Sequence, residues 1–397
     1  SFILGVTLLL GWAFKGFGSW KIGRGRAAVL FLVMFGAWSA LSAMQATNTD
    51  RAMGALIEFL KILLPFLVGV TMLEGEEEWR PLLWTIVLAQ GYVAFEMNLN
   101  YLTKGFNSAA EGFGGMDNNC FGVSLVTIVG LAVALAISSS KWWQKAGAAC
   151  AAALILHTIL LTFSRGAMVG LLAVGLTAFI VFPKRPKFAI PLALAILIAL
   201  RFTGPQLAER YATAFASSEE RDGSAESRID LWVDCLKVVA SAPVFGVGPW
   251  NWRVVASSYG WTEGKSAHSV WMETAAETGV PGVLALFSFF AAGALWMWPV
   301  ARAKMTLSNR EEKIVAAGVI MSIAGFIVSG QFVSVTGLEA PYYVVMLAVI
   351  MLKVKRPELA VVTAPQRVTP SPALSAGRSR VVPVRSPGPA LGARLHR

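Results

Sequence analysis

The chain has 397 residues, 56% of them apolar, with 14 tryptophans and only 14% charged residues. Such a composition excludes a soluble globule and predicts a polytopic membrane protein. The net charge of +11 argues for no nucleic-acid role, because the basic residues are scattered through short loops and a low-complexity tail instead of being interleaved with aromatics on a folded face.

In chain order, apolar runs occur at Phe2–Phe14, Ala27–Ala46, Ala52–Leu73, Pro81–Ala94, Cys120–Ile137, Ala146–Phe163, Gly166–Phe182, Phe188–Phe202, Val280–Val300, Ile314–Val333 and Leu338–Leu352. They predict eleven spans in an all-α fold. Several are shorter than the roughly 20 residues that cross a bilayer comfortably, so flanking residues must contribute. Lysines and arginines set the orientation. If alternate loops are cytoplasmic, that side collects Lys15, Lys21, Arg24, Arg26, Arg80, Lys141, Lys145, Lys184, Arg185, Lys187, Arg302, Lys304, Arg310, Lys313, Lys353, Lys355 and Arg356, whereas the short loops opposite hold only Arg51, Lys104 and Arg165. The expected domains are N-terminal transmembrane helices (1–202), an extracytoplasmic helical loop (203–279), C-terminal transmembrane helices (280–353) and a disordered basic cytoplasmic tail (354–397). Ser1 then falls outside, and a twelfth helix ahead of it would return both ends to the cytoplasm.

Within the spans, Glu58 and Lys61 are three residues apart and can pair on one helix face, and His157 can hydrogen-bond a neighbouring helix. Cys120 and Cys150 lie in apolar runs and Cys235 in a polar loop, which offers neither a disulfide framework nor a cysteine metal site.

The extracytoplasmic loop carries the chemistry. Leu207, Tyr211 and Phe215, four apart in Pro205–Ser217, predict an amphipathic helix on the bilayer interface. Ser227-Arg-Ile-Asp230 has a capping-box pattern, and Ile229, Trp232, Leu236 and Val239 form an apolar stripe on the helix that follows. From Thr203 to Gly279 ten acidic residues face six basic ones, so Arg228 belongs to no general basic surface. In a first helical turn a cation is disfavoured, and Arg228 asks for a specific anion: Asp230, Asp234, Glu226 or a ligand. His268 is expected at the start of a helix capped by Ser266 or Ser269 and stopped by Gly279, with Pro281 opening the next. A helix N-terminus disfavours imidazolium, leaving the neutral form that a general base needs. Two shorter motifs face the same side. Asp117 or Asn118 can cap the fifth span, and Arg165, after Ser164 in a tight turn at the membrane surface, presents a planar fork suited to phosphate.

Taken together, Asp117-Asn-Asn, Ser164-Arg-Gly-Ala, Arg228 followed by Trp232, Pro243-Val-Phe-Gly-Val-Gly248, Ala267-His268, and Glu277-Thr-Gly279 with Gly282 resemble the O-antigen ligase and polymerase superfamily. Within it the chain is most similar to O-glycosylation ligases found with exosortase systems. The resemblance covers Phe2 to about Leu352, and one departure is Ser269, where many members carry Asn. It implies an inverting, metal-independent and cofactor-free membrane glycosyltransferase of the bacterial inner membrane with a periplasmic site. The donor would be a glycan on undecaprenyl diphosphate, and the acceptor a hydroxyl on lipid A core, another glycan or a protein. By matching position, His268 would be the catalytic base and Arg228 and Arg165 the diphosphate ligands, with Asp117, Asn118, Ser164 and Glu277 in support. Acids paired with His or Cys at metal-ligand spacing are missing from the sequence. A polymerase of the same superfamily is the alternative. A transporter or flippase for lipid-linked glycans is the rival of another class, against which stand the lack of an internal repeat and the gathering of reactive residues at one face.

Overall fold

The computed structural model describes residues 2–182, 224–335 and 337–353, and these residues form an all-α bundle. Its helices are α1 (Phe2–Phe14), α2 (Arg26–Ala43), α3 (Thr49–Met72), α4 (Glu76–Lys104), α5 (Asn118–Ser138), α6 (Trp142–Leu161), α7 (Arg165–Val181), α8 (Ser224–Ser241), α9 (Val270–Arg302), α10 (Arg310–Ser329) and α11 (Glu339–Lys353). Ten of the eleven apolar runs fall on them. The eighth run, Phe188–Phe202, lies outside the described residues, as do Pro205–Ser217 and the basic tail. Among the described residues seven helices are long and apolar enough to cross a membrane, namely α2 with the turn before it, α3, α4, α5, α6, α9 and α10. The chain is therefore a multi-pass membrane protein.

The fourth run is the one whose bounds move most. Its helix extends over 29 residues, well past Pro81–Ala94, because Glu78 accepts the Gly75 N–H at 2.9 Å and closes the start, while Gly105 in the left-handed region closes the end.

The core is centred on α5 and α10, which pack side by side and are flanked by α7, with α6 and α4 beyond α5 and α9 bridging α10 to α2. An aromatic cluster fills the space among α9, α10 and α11: Phe290 lies 4.7 Å from Phe326, and Phe289 5.5 Å from Tyr342. Such rings in offset and edge contacts add to their burial energy.

The two ends of the bundle are finished differently. Where α3, α5, α7 and α9 begin, Asn48, Asp117, Ser164 and Ser269 each accept a backbone N–H of the first turn, from Arg51, Cys120, Ala167 and Met272. Each cap is worth about 1 kcal/mol. At the opposite end, Lys353 donates to Leu73 O beyond α3, Arg310 to Ile137 O near the end of α5, and Arg302 to Ile180 O near the end of α7. Cations placed on helix carbonyl ends gain about 0.3–1 kcal/mol each.

Candidate functional site

The site is built around a break in α9. Gly279 has φ 70° and ψ −177°, a conformation open to glycine, and Pro281 brings no N–H. The break exposes backbone groups that a regular helix would satisfy, and the chain from Pro243 to Gly248 takes them over. Val247 N–H donates to Ala276 O at 3.0 Å, Gly248 N–H to Glu277 O at 2.9 Å, and Val280 N–H to Pro243 O at 2.9 Å. From α2, Ser42 Oγ adds a bond to Glu277 O at 2.9 Å and Trp38 Nε1 one to Thr278 O at 3.0 Å. Gly246 is required in this knot, since a Cβ there would come within 2.4 Å of Ala276 O. The Pro243-to-Gly248 and Glu277-Thr-Gly279 motifs, far apart in sequence, are thus two halves of one hydrogen-bonded unit.

From this anchor the chain passes Asn251, which is buried and clips the start of α3: its Oδ1 accepts from Asn48 N–H and its Nδ2 donates to Asn48 O at 3.1 Å. It returns along α8 to the histidine. Trp232 Nε1 donates to Ala267 O at 3.0 Å, and Ala267 N–H donates to Glu273 Oε2 at 2.9 Å. With both polar groups of Ala267 pinned, His268 follows in the left-handed region at φ 50°. That conformation costs a non-glycine residue ~1–3 kcal/mol. Ser269, not Ser266, is the cap, so His268 stands one residue outside the helix instead of beginning it. Ser266 Oγ instead lies 3.4 Å from His268 Nε2.

His268 is half-buried, and burial is the first cause that lowers its pKa from the ordinary 6.5. The charge of Arg228 pushes it further down, as do Lys265 and, more weakly, Arg253, while Asp117 acts in the opposite direction. The imidazole is therefore neutral at neutral pH, and the causes are burial and three cations where the sequence pointed to a helix N-terminus.

The residues singled out from sequence are placed as follows. Arg228, Asp117 and His268 share one electrostatic neighbourhood. Arg228 sits in the second turn of α8, because that helix begins at Ser224, so Ser227 to Asp230 is interior and not a capping box. Asp234 is engaged by Lys237 at 2.8 Å and by Trp261 Nε1 at 2.9 Å. The buried face of α8 is Leu231, Cys235 and Val238, whereas Ile229 and Leu236 of the expected stripe are exposed. Cys235 is consequently a core residue and not a loop cysteine. Asp117 caps α5, and Asn118 Nδ2 donates to Thr162 O at 2.9 Å while Ser164 Oγ donates to Asn119 Oδ1 at 2.9 Å, which ties the start of α5 to the turn before α7. Arg165 opens α7 on the exposed side of that turn. Its neighbour Gly166 rests against Phe332, whose ring is 6.4 Å from Trp232. Glu277 is directed elsewhere: it is buried and accepts the backbone N–H groups of Trp250 and Trp252, the latter at 3.3 Å.

Two residues matter more than the sequence indicated. Glu273 is buried and holds Ala267 N–H, the hydroxyl of Ser334 and, at 3.5 Å, the guanidinium Nε of Arg253. Arg253 reaches it from twenty positions earlier in the chain. An acid in the first turn after a capping serine is a recognisable signal, but it marks a helix start and not the loop it supports.

The described residues thus form a multi-pass membrane protein whose half-buried His268 lies within the fields of Arg228, Lys265, Arg253 and Asp117. Residues 150–287 match the family model described as O-Antigen ligase, so this segment, about a third of the chain, is similar to that family. The match runs from α6 into the second half of α9, so it includes Arg165, Arg228, His268 and the broken helix, and stops short of Asp117. No curated protein matches the chain.

Proposed function

We propose that the protein is an inverting glycosyltransferase that moves a glycan from an undecaprenyl-diphosphate donor to an acceptor hydroxyl on the periplasmic side of the bacterial inner membrane. The observation that carries this is the neutral, half-buried His268 beside Arg228. In the reaction His268 takes the proton of the acceptor hydroxyl, the freed oxygen forms a bond to the anomeric carbon, and the bond from that carbon to the diphosphate oxygen breaks on the opposite face. The leaving diphosphate keeps the electron pair, and Arg228 and Arg165 meet its charge. Arginine suits that task because two parallel N–H bonds match two phosphate oxygens. The reaction calls on the chain's own base and guanidinium groups alone.

The test is transfer by the purified chain in lipid nanodiscs, given the polyprenyl-linked glycan fraction and an acceptor with no ion or voltage gradient. Appearance of glycosylated acceptor with release of polyprenyl diphosphate is expected. Glycan movement across the bilayer without transfer would assign the chain to transport, and a ladder of lengthening lipid-linked products would make it a polymerase.

A further inference from the structure

A general base must be held in place as well as unprotonated, and in many base sites a third group hydrogen-bonds the ring and orients it. Among the described residues no carboxylate bonds the imidazole of His268, whose one hydrogen-bonding contact is Ser266 Oγ, 3.4 Å from Nε2. The ring is therefore placed through the backbone before it. Ala267, fully buried, is gripped at both its polar atoms. From one side Trp232 Nε1 donates to Ala267 O at 3.0 Å, and that indole lies 6.4 Å from the ring of Phe332. From the other, Glu273 Oε2 accepts Ala267 N–H at 2.9 Å. The same oxygen accepts the hydroxyl of Ser334, while Oε1 faces Arg253 Nε at 3.5 Å. Phe332 and Ser334 both belong to the short link between α10 and α11, and that link is itself fixed. Val333 is buried, and a Cβ on Gly166 would come within 2.6 Å of Phe332 Cβ. Trp271 Nε1 donates to Ile327 O at 2.9 Å and fastens the first turn of α9 to the end of α10.

We infer that Glu273 is a positioning residue for His268: seated against Ser334 and Arg253, it fixes the Ala267 N–H and thereby the place of the imidazole one residue further on. The role of the ring as base rests on the function proposed above. Three partners from three separate segments meet on this one buried carboxylate, and bonds to an ionised acceptor are stronger than neutral ones. Water cannot stand in for it, because Ala267 is sealed off. The clamp also accounts for the backbone of His268, whose φ of 50° is held by a non-glycine residue only where its surroundings over-determine it. Phe332 and Ser334 lie beyond residues 150–287, so the family match does not reach this support. Misplacing a catalytic group by about 1 Å can cost about a hundredfold in rate, which sets the scale of the effect.

The experiment measures kcat and donor KM for the full chain in lipid nanodiscs, with the polyprenyl-linked glycan fraction as donor. Glu273→Ala should lower kcat by about tenfold to a hundredfold and leave KM within about twofold, since the donor's own ligands are untouched. In a His268→Ala background the same change should cost nothing further, because its effect passes through the imidazole. Glu273→Gln should stay within about threefold of wild type: its amide oxygen can take the place of Oε2 and keep both bonds, and only the charge facing Arg253 is lost. Ser334→Ala, which removes one of the two donors to that oxygen, should lower kcat by about threefold, again only when His268 is present, and decides the question if the alanine variant does not fold. A second readout needs no donor. Carbethoxylation of His268 by diethyl pyrocarbonate, separated from that of His157 and His396 by peptide mass spectrometry, should speed up by about threefold or more in Glu273→Ala and not in Glu273→Gln. Equal losses with and without His268, a glutamine variant as slow as the alanine one, or carbethoxylation unchanged by Glu273→Ala each overturn the positioning role. A wild-type chain that transfers no glycan ends the function proposed above, and the carbethoxylation rates then decide by themselves whether Glu273 places the histidine.

Discussion

The two ends of the bundle use arginine and lysine for opposite purposes. At the basic end, Arg302, Arg310 and Lys353 each donate to a carbonyl at or near the end of a helix, and Arg80 meets Glu311 at 3.1 Å. Those cations complete the backbone of α7, α5 and α3. At the histidine end the same helices begin, and there short polar side chains, Asn48, Asp117 and Ser164, do the capping. Cations of that end pair with acids instead, as Arg253 does with Glu273 and Lys237 with Asp234. Arg228, Lys265 and Arg253 all act on His268. The lesson is that positive charge near a membrane surface carries two meanings, told apart by whether the charge ends on a carbonyl or on a titratable group.

The largest effect expected at the histidine end is the loss of the base. His268→Ala should lower transfer by about a hundredfold to ten-thousandfold. Membrane insertion and expression should stay normal, because the loop around His268 is fixed through Ala267, Trp232 and Glu273 and not through the imidazole. Single-turnover measurement of glycan transfer checks the rate. A variant that transfers at the wild-type rate would remove His268 from the chemistry and make Asp117, an acid that acts on that imidazole, the next base to test.

The comparison sharpens when one conservative change is made at each end. Arg228→Lys keeps the charge but gives up the planar two-pronged grip, so transfer should fall by about tenfold or more with folding intact. Arg310→Lys keeps a donor for Ile137 O, so its rate should match wild type and its thermal midpoint should move little. Rates and melting curves of the two variants in the same nanodiscs make the check. If both lose activity alike, or neither does, the division of labour between the two ends is wrong.

Much of this was legible in the sequence, for reasons that also explain the rest. Span positions and the asymmetry of charge follow from composition along the chain, so α2, α3, α5 to α7, α10 and α11 fall close to the expected runs. Gly279 and Pro281 marked the break in α9 because each has a fixed backbone consequence. The contact face of α8 was misplaced by one position: Trp232, Leu236 and Val239 fit a helical period as well as Leu231, Cys235 and Val238 do, and only the partner surface chooses between them. The pairing of Pro243–Gly248 with Ala276–Val280 could not be read at all, since it is a hydrogen-bond exchange between segments some thirty residues apart. Glu277 looked like a reserve acid for the reaction and instead holds the backbone of Trp250 and Trp252.

The finest effect concerns pH and tests whether Arg228 lies where the donor's charge arrives. In the free protein, burial and Arg228 hold the His268 pKa below its ordinary 6.5. A base works when unprotonated, so kcat/KM, which reports the free protein, should rise with pH through an apparent pKa below that value. A bound diphosphate brings negative charge beside Arg228, and negative charge favours the imidazolium form. In the complex the histidine's pKa must therefore be higher, and the rising limb of kcat should lie at higher pH than that of kcat/KM. Arg228→Gln removes the cation in both states. Its kcat/KM limb should move up towards the ordinary value, and the gap between the two limbs should narrow. Both profiles come from initial rates between about pH 5 and 8 with donor varied. Coincident limbs in the wild type, or a kcat/KM limb that Arg228→Gln leaves in place, would separate Arg228 from the histidine's titration and assign it to the architecture of α8.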